Sequence, residues 1–473
     1  MKKSYAFISS ALIAALIAGS TIGCAHSPSG DASKAGDAST GSSASSAAAT
    51  DTASSKAPVV AKVGPASGTH FEMWDFVDVH TQFYTEMVNE WNKNHADKQI
   101  NITFTTYPYQ DMHDKLKMAI QAGTGAPDLC DVEIGQFPIY LGDKGEDVPF
   151  RPMDDVVAPY KANIVPSRLS IYAKDGKQYG IPTHVGASVM YYNTEILKKY
   201  GVDYKTIKTW DDFTAAGKKI KTASGGKQAM TSVDTGGTDW LWVSMAENKT
   251  DWTDASGKAN VKINAIKDML KMQKSWKDGG IAIDSPGGQL DTEQGYAAVG
   301  DGKVAAFPKA LWYMSRFLNY LPDQSGKWAI APLPVYKEGQ PRSVGIGGTG
   351  TVVLKSSKNA DLAAQWLAWA KLSKEGTTNI WKILGFDPTN MSLWTDPSIT
   401  KDTSNKYLKY FVSNPFDVLN EVKAEIEPIK SVSISPTIST QMNTNVLPGV
   451  FDKNQSIDSA LDAAQKAIEQ EES

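Results

Sequence analysis

Between residues 69 and 134 the hydrophobic pattern alternates between a period of two and a helical period, and this constrains the fold more than any other feature. Residues 69–76 read as a short strand around Phe71 and Met73. Phe83, Met87 and Trp91, with Tyr84 and Val88 beside them, recur at helical spacing through Asn92. Ile100, Ile102 and Phe104 alternate with polar residues as a second strand, a helix around residues 116–120 follows, and residues 128–134 read as a third strand. The order β-α-β-α-β makes right-handed crossovers in a parallel sheet, which predicts a doubly wound α/β domain. Ligands of such sheets sit beyond the carboxyl ends of the strands. That rule selects Asp75, Asp78 and His80 after the first strand, Tyr107 and Tyr109 after the second, and Glu133 with Gln136 after the third, all converging on one rim.

The 473 residues are too many for one ordinary core and suggest two or three domains, or two lobes of one interleaved fold. A net charge of −4 with 21% charged residues argues against the broad basic surface that nucleic acid requires. Two cysteines, Cys24 and Cys130, exclude a disulfide scaffold and a multi-cysteine metal site. Cys130 lies in the third strand and reads as packed. The chain contains no G-x-S-x-G, H-E-x-x-H or Walker sequence. Residues 345–350 do fit G-x-G-x-x-G, but a β-rich run follows where a dinucleotide motif needs a helix, so they read as a loop of close backbone approach. No cofactor and no metal are expected.

At the N-terminus, Lys2 and Lys3 precede an apolar run over residues 5–18, too short to span a bilayer stably. The following Thr21-Ile22-Gly23-Cys24 resembles the lipobox of bacterial lipoproteins, with Thr21 where Leu is usual. The resemblance implies a signal peptide over 1–23 and lipidation, such as palmitate, at Cys24. Residues 24–67 are rich in Ser, Ala, Gly, Thr and Asp and are expected to be a flexible linker. No later stretch of about 18 apolar residues follows.

Further along, an apolar strand at 189–192 follows Tyr179-Gly180-Ile181-Pro182, and Thr209-Trp210-Asp211-Asp212-Phe213 opens a helix whose acidic first turn suits the helix dipole. Residues 351–354 read as a β-branched strand and 361–372 as a helix whose Leu362, Trp366 and Trp369 belong to a core. A last helix is expected around 457–468, with Asn454, Gln455 and Ser456 as cap candidates.

Read in order, Gly123-Thr124-Gly125-Ala126-Pro127-Asp128-Leu129, Tyr179-Gly180-Ile181-Pro182, Tyr191-Tyr192-Asn193 and Thr209-Trp210-Asp211-Asp212 resemble the signature of the extracellular solute-binding proteins of carbohydrate ABC importers. The similarity covers most of the chain from about residue 68. Glu86 to Lys93, Tyr107-Pro108-Tyr109, Thr183-His184-Val185-Gly186, Trp312 to Phe317 and Leu384-Gly385-Phe386-Asp387-Pro388 resemble, more narrowly, arabino-oligosaccharide-binding lipoproteins of Gram-positive bacteria. This implies a two-lobed, periplasmic-binding-protein-like α/β fold, with a first lobe of 68–181 and 334–384, a second of 182–333 and 385–473, and a ligand cleft between them. It also implies membrane permease subunits as partners and a protein lipid-anchored at the extracellular face of the membrane. Nothing in the sequence indicates a dimer surface, so a monomer is expected.

A sugar ring presents a face of C–H bonds and an edge of hydroxyls, so its site needs flat aromatics beside charged or amide groups. Three clusters carry that mixture. Asp239, Trp240 and Trp242 lie in a second-lobe segment where the resemblance places cleft residues. Trp312, Tyr313 and Arg316 form another cluster, with Trp312 at a position similar to the family's sugar-stacking aromatic. Asp78, His80, Tyr109 and Glu133 face them from the first lobe, with His184, Phe386 and Asp387 at the crossovers. Periodicity does not show which face is wet, so core packing remains open for the aromatics, structural roles for the histidines, hinge-shaping for Phe386 and Asp387, and a solvated surface for Asp78, Glu133, Asp239 and Arg316. Xylo- or malto-oligosaccharides are alternative ligands. A secreted carbohydrate-active enzyme using such carboxylates, and a sugar-sensing lipoprotein, remain competing readings.

Overall fold

The computed structural model describes residues 57–142 and 147–472. The expected signal peptide, Cys24 and the linker as far as residue 56 lie outside the described residues. The predicted alternation appears as β2 (Thr69–Asp75), α1 (Asp78–Asn94), β3 (Ile100–Thr106), α2 (Tyr109–Ala122) and β4 (Leu129–Glu133). β2 lies between β3 and β4 and runs parallel to both. α1 buries Phe83, Tyr84, Met87, Val88 and Trp91, the helical stripe legible in the sequence, in a core that also takes Phe71, Met73 and Trp366.

Two features of this sheet differ from the expectation. It is mixed: Thr349–Val353 returns antiparallel to β4 and also pairs with Ile181–Pro182. The opposite edge is β1 (Val59–Val63), paired antiparallel with β3 from Val59 against Thr106 to Val63 against Ile102. The expected linker to residue 67 therefore ends before Val59. Val59 and Val60 are exposed, so β1 is held by main-chain pairing with a sheet edge more than by burial.

A second lobe is built on a three-stranded sheet in which Ser188–Asn193 lies between Ala306–Ala310 and Trp328–Ala331, antiparallel to both. The helix Trp210–Ser224 starts with a capping box, Thr209 Oγ1 accepting from Asp212 N at 3.1 Å and Asp212 Oδ2 from Thr209 N at 2.9 Å. The last helix spans Ile457–Glu472, and Ser456 Oγ accepts from Ser459 N. Among the described residues no helix is long and apolar enough to cross a membrane.

The segments passing between the sheets are tied to one another. The Asp387 carboxylate accepts from the backbone N–H groups of Gly186 (3.1 Å) and Ala187 (2.8 Å), and Ile346 N donates to the Gly186 carbonyl at 2.8 Å. Three chain segments distant in sequence thus meet beside the end of β4, where Glu133 pairs with Thr349.

Candidate functional site

Two adjoining cavities open where these segments meet, one of about 550 Å³ and one of about 460 Å³. They share Tyr109, Glu133, Gln289, Trp312 and Gly347 in their walls, so they form one cleft with two chambers. The first lobe contributes the rim that strand order selects: His80 on α1, Tyr109 as the first residue of α2, and Glu133 and Gln136 at the end of β4. His184 and Phe386 come from the crossovers, and Asp239, Trp242, Trp312 and Arg316 from the second lobe.

Four candidates stand elsewhere. Asp78 is exposed at the N-terminus of α1 and lines neither chamber. Trp240 is 3% exposed, with its ring centroid 5.6 Å from that of Trp210 and 5.5 Å from that of Trp276. Two residues along a helix turn the side chain by about 200°, so only one of Trp240 and Trp242 can face the cleft. Tyr313 is buried behind Trp312 and donates its hydroxyl to the Leu290 carbonyl at 2.8 Å. Asp387 is spent on the crossover N–H groups, although burial pushes its carboxyl up to about 7. On the rim, Tyr107 packs edge-on against Trp74, and Asp75 lies buried beneath.

The cleft walls carry opposite charges in pairs. Lys309 Nζ lies 2.5 Å from Asp239 Oδ2; burial opposes its charge, but Asp239, Asp234 and Asp291 outweigh that and raise its pKa. Arg316 Nε donates to Asp291 Oδ1 at 3.0 Å, while its guanidinium sits 5.4 Å from the centre of the Trp312 ring. Burial raises the Glu133 carboxyl to about 7, against hydrogen bonds from Gly135 N (2.7 Å) and the Tyr109 hydroxyl (3.2 Å). Beneath the floor, His80 Nδ1 is 2.8 Å from Asp131 Oδ2. Burial works to raise Asp131, but His80, Lys371 and Thr351 hold it at about 2.

Three cavity-lining side chains have polar atoms that find no hydrogen bond within the described residues. His184, 4% exposed, has both ring nitrogens free of partners, and burial followed by the nearby Arg168 charge lowers its pKa well below the usual imidazole value. Asn443 Oδ1 and Trp252 Nε1 are the others. A buried polar atom left unpaired is costly, so each is suited to a partner from outside the chain.

Residues not selected from the sequence complete the walls. Lys309 is a charged residue inside the otherwise apolar strand Ala306–Ala310, which was the signal available for it. The C-terminal segment adds Ser435, Ser439 and Asn443, four residues apart, which is a polar helical stripe. Gln289, Asp291 and Thr238 follow or precede helices without a distinguishing pattern. Flat faces from Tyr109, Trp242, Trp312 and Phe386 therefore stand among amides, hydroxyls and paired charges. This chemistry fits a ligand with apolar faces and a hydroxylated edge.

The chain is similar to known proteins in sequence and in fold. An arabinooligosaccharide-binding protein of Halalkalibacterium halodurans is 38% identical over 410 residues, spanning 85% of this chain and 89% of that protein. An arabinooligosaccharide-binding protein of Bacillus subtilis is 38% identical over 386 residues, spanning 81% of this chain and 88% of that one. Among solved structures, the galacto-N-biose-/lacto-N-biose I-binding protein of the ABC transporter from Bifidobacterium longum, in complex with lacto-N-biose, superposes with a TM-score of 0.69. It has 20% identity and the match covers 85% of this chain and 96% of that one, a likeness of fold. Residues 78–376 match the family described as bacterial extracellular solute-binding protein, and with relatives of this similarity the chain belongs to that family.

Proposed function

We propose that the chain captures linear arabino-oligosaccharides in the two-chambered cleft and delivers them to the permease of an ABC sugar importer. The observation that carries the reading is the coincidence of stacking faces, Trp312 above all, with the unpartnered polar atoms of His184 and Asn443 on the same cavity walls. The ligand class is supported by the two relatives at 38% identity, both named for arabinooligosaccharide binding. Tyr109, Trp242, Trp312 and Phe386 stack against ring faces in this reading. Glu133, His184, Asn443 and the Lys309–Asp239 and Arg316–Asp291 pairs address hydroxyls, and His80 braces the floor.

Binding draws together the lobes 68–181 with 334–384 and 182–333 with 385–473, β1 joining the first, by a hinge movement at the crossovers. Small-angle scattering should then record a smaller radius of gyration with saturating sugar. The protein works as a monomer held at the outer face of the membrane through a lipid on Cys24, after removal of residues 1–23. It acts without turnover. Asp239 is engaged by Lys309, and the relatives named above are binding proteins.

Isothermal titration against linear arabino-oligosaccharides, arabinose, xylo-oligosaccharides and malto-oligosaccharides tests the assignment. Dissociation constants in the micromolar range or tighter, about −8 kcal/mol or better, are expected for arabino-oligosaccharides only. Heat from another sugar in their place would move the ligand assignment, and appearance of shortened products would replace a binding protein with a hydrolase.

A further inference from the structure

We propose that Arg168 is a positioning residue for the cleft: it fixes the glycine loop at 345–348, whose Ile346 carbonyl in turn orients the Trp312 indole. The proposal rests on the reading of Trp312 as a ligand-stacking residue. Arg168 belongs to the short helix Pro166–Ser170, far in sequence from both partners, and is 1% exposed. Its guanidinium donates to the carbonyls of His184 (3.2 Å), Gly345 (3.4 Å) and Gly347 (2.7 Å), so one side chain joins two of the crossover segments. Burying a guanidinium has a large desolvation cost, and its planar fan spreads donors over three nitrogens, whereas a lysine ammonium holds all of its donors on one atom.

The loop is shaped to this contact on one side and to the indole on the other. Gly347 and Gly348 have φ of 72° and 110°, which favour glycine. A Cβ on Gly348 would lie 2.7 Å from Arg168 Nη2, and one on Gly347 would lie 2.9 Å from Trp312 Nε1. Between Gly345 and Gly347, the Ile346 carbonyl accepts the Trp312 Nε1 hydrogen at 3.1 Å, and the Ile346 N–H is anchored on Gly186. The glycine spacing that mimics a dinucleotide motif thus allows a guanidinium and an indole to grip opposite sides of one turn.

A double-mutant cycle tests this with the full chain, Arg168→Lys and Trp312→Phe singly and together, and linear arabinotetraose as the probe. Arg168→Lys is expected to weaken binding about tenfold in the parent and by less than about twofold in the Trp312→Phe background. An equal loss in both backgrounds would overturn the proposal. A second readout needs no sugar: the near-ultraviolet circular dichroism contributed by Trp312, obtained by subtracting the Trp312→Phe spectrum, should be largely lost in the Arg168→Lys background. If it is unchanged, the proposal fails even where binding has weakened. If the parent does not bind arabinotetraose, the sugar assignment fails and the dichroism alone decides the positioning role. Should Arg168→Lys not fold, Gly348→Ala, whose Cβ displaces the guanidinium, is expected to give the same loss of the Trp312 signal.

Discussion

His80 Nδ1 sits 2.8 Å from Asp131 Oδ2 beneath the cleft floor, and the same carboxylate accepts from the Tyr84 hydroxyl at 2.7 Å and from Thr351 Oγ1 at 2.5 Å. One buried charge thus joins α1, β4 and the returning strand, and it supports the wall that carries Glu133. Lys371 extends the network by donating to Thr183 and Thr351.

Replacing Asp131 by Asn leaves His80 and Lys371 without their anion and should cost about 3 kcal/mol of stability in urea denaturation. The sign of the pH dependence follows from the folded carboxyl lying at about 2, below its ordinary 3.8. Its contribution is complete above the unfolded value and disappears as pH falls toward 2, so the stabilities of parent and variant should converge in that range. A constant gap between them down to pH 2 would contradict this role.

Glu133 gives a different profile, because its carboxyl is raised to about 7 by burial. In the proposed binding mode it accepts hydrogen bonds from sugar hydroxyls above that value, and below it the protonated group loses acceptor capacity. Affinity for arabino-oligosaccharides should therefore fall as pH drops from 8 to 6, and Glu133→Gln should flatten the curve. Parallel curves for the two proteins in calorimetry would show that another group sets the dependence.

Trp312 and Trp240 should separate binding from folding. Trp312→Ala is expected to weaken binding by about 1 to 3 kcal/mol with little change in melting temperature. Trp240→Ala opens a hole against Trp210 and Trp276 and should cost about 3 to 5 kcal/mol of stability. Thermal unfolding with and without sugar distinguishes them, and the reverse pattern would exchange their assignments.

The edge strand β1 predicts where the chain can be trimmed. A protein beginning at residue 67 loses the pairing of Val59–Val63 with β3. It should be less stable than one beginning at residue 57 by about 2 kcal/mol. Equal melting temperatures would mean that β1 adds nothing to the sheet.

The first sheet was legible because its strands and helices carry clean periods, as in Phe83, Met87 and Trp91. The rim followed from strand order alone, which is why His80, Tyr109 and Glu133 were found before any geometry. The second wall was legible only in part. Trp240 and Trp242 are chemically alike, and only the position of Trp276 tells which is inside. Asp387 resembles a ligand carboxylate in sequence, but its partners are backbone N–H groups from about 200 residues away. Lys309 and the 435–443 stripe were visible as anomalies, a lysine in an apolar strand and small polar side chains at helical spacing. Their meaning depends on a cleft that only the tertiary fold creates. Val59–Val63 was hidden by the composition of the segment before it.

The central claim is that oligosaccharide lies between the lobes against Trp312. A crystal structure of the protein with a linear arabino-oligosaccharide tests it most directly. The predicted result is a sugar ring stacked on Trp312, with hydroxyls within hydrogen-bonding distance of His184 or Asn443 and of Glu133. Sugar bound outside the two chambers, with these groups untouched, would contradict the account.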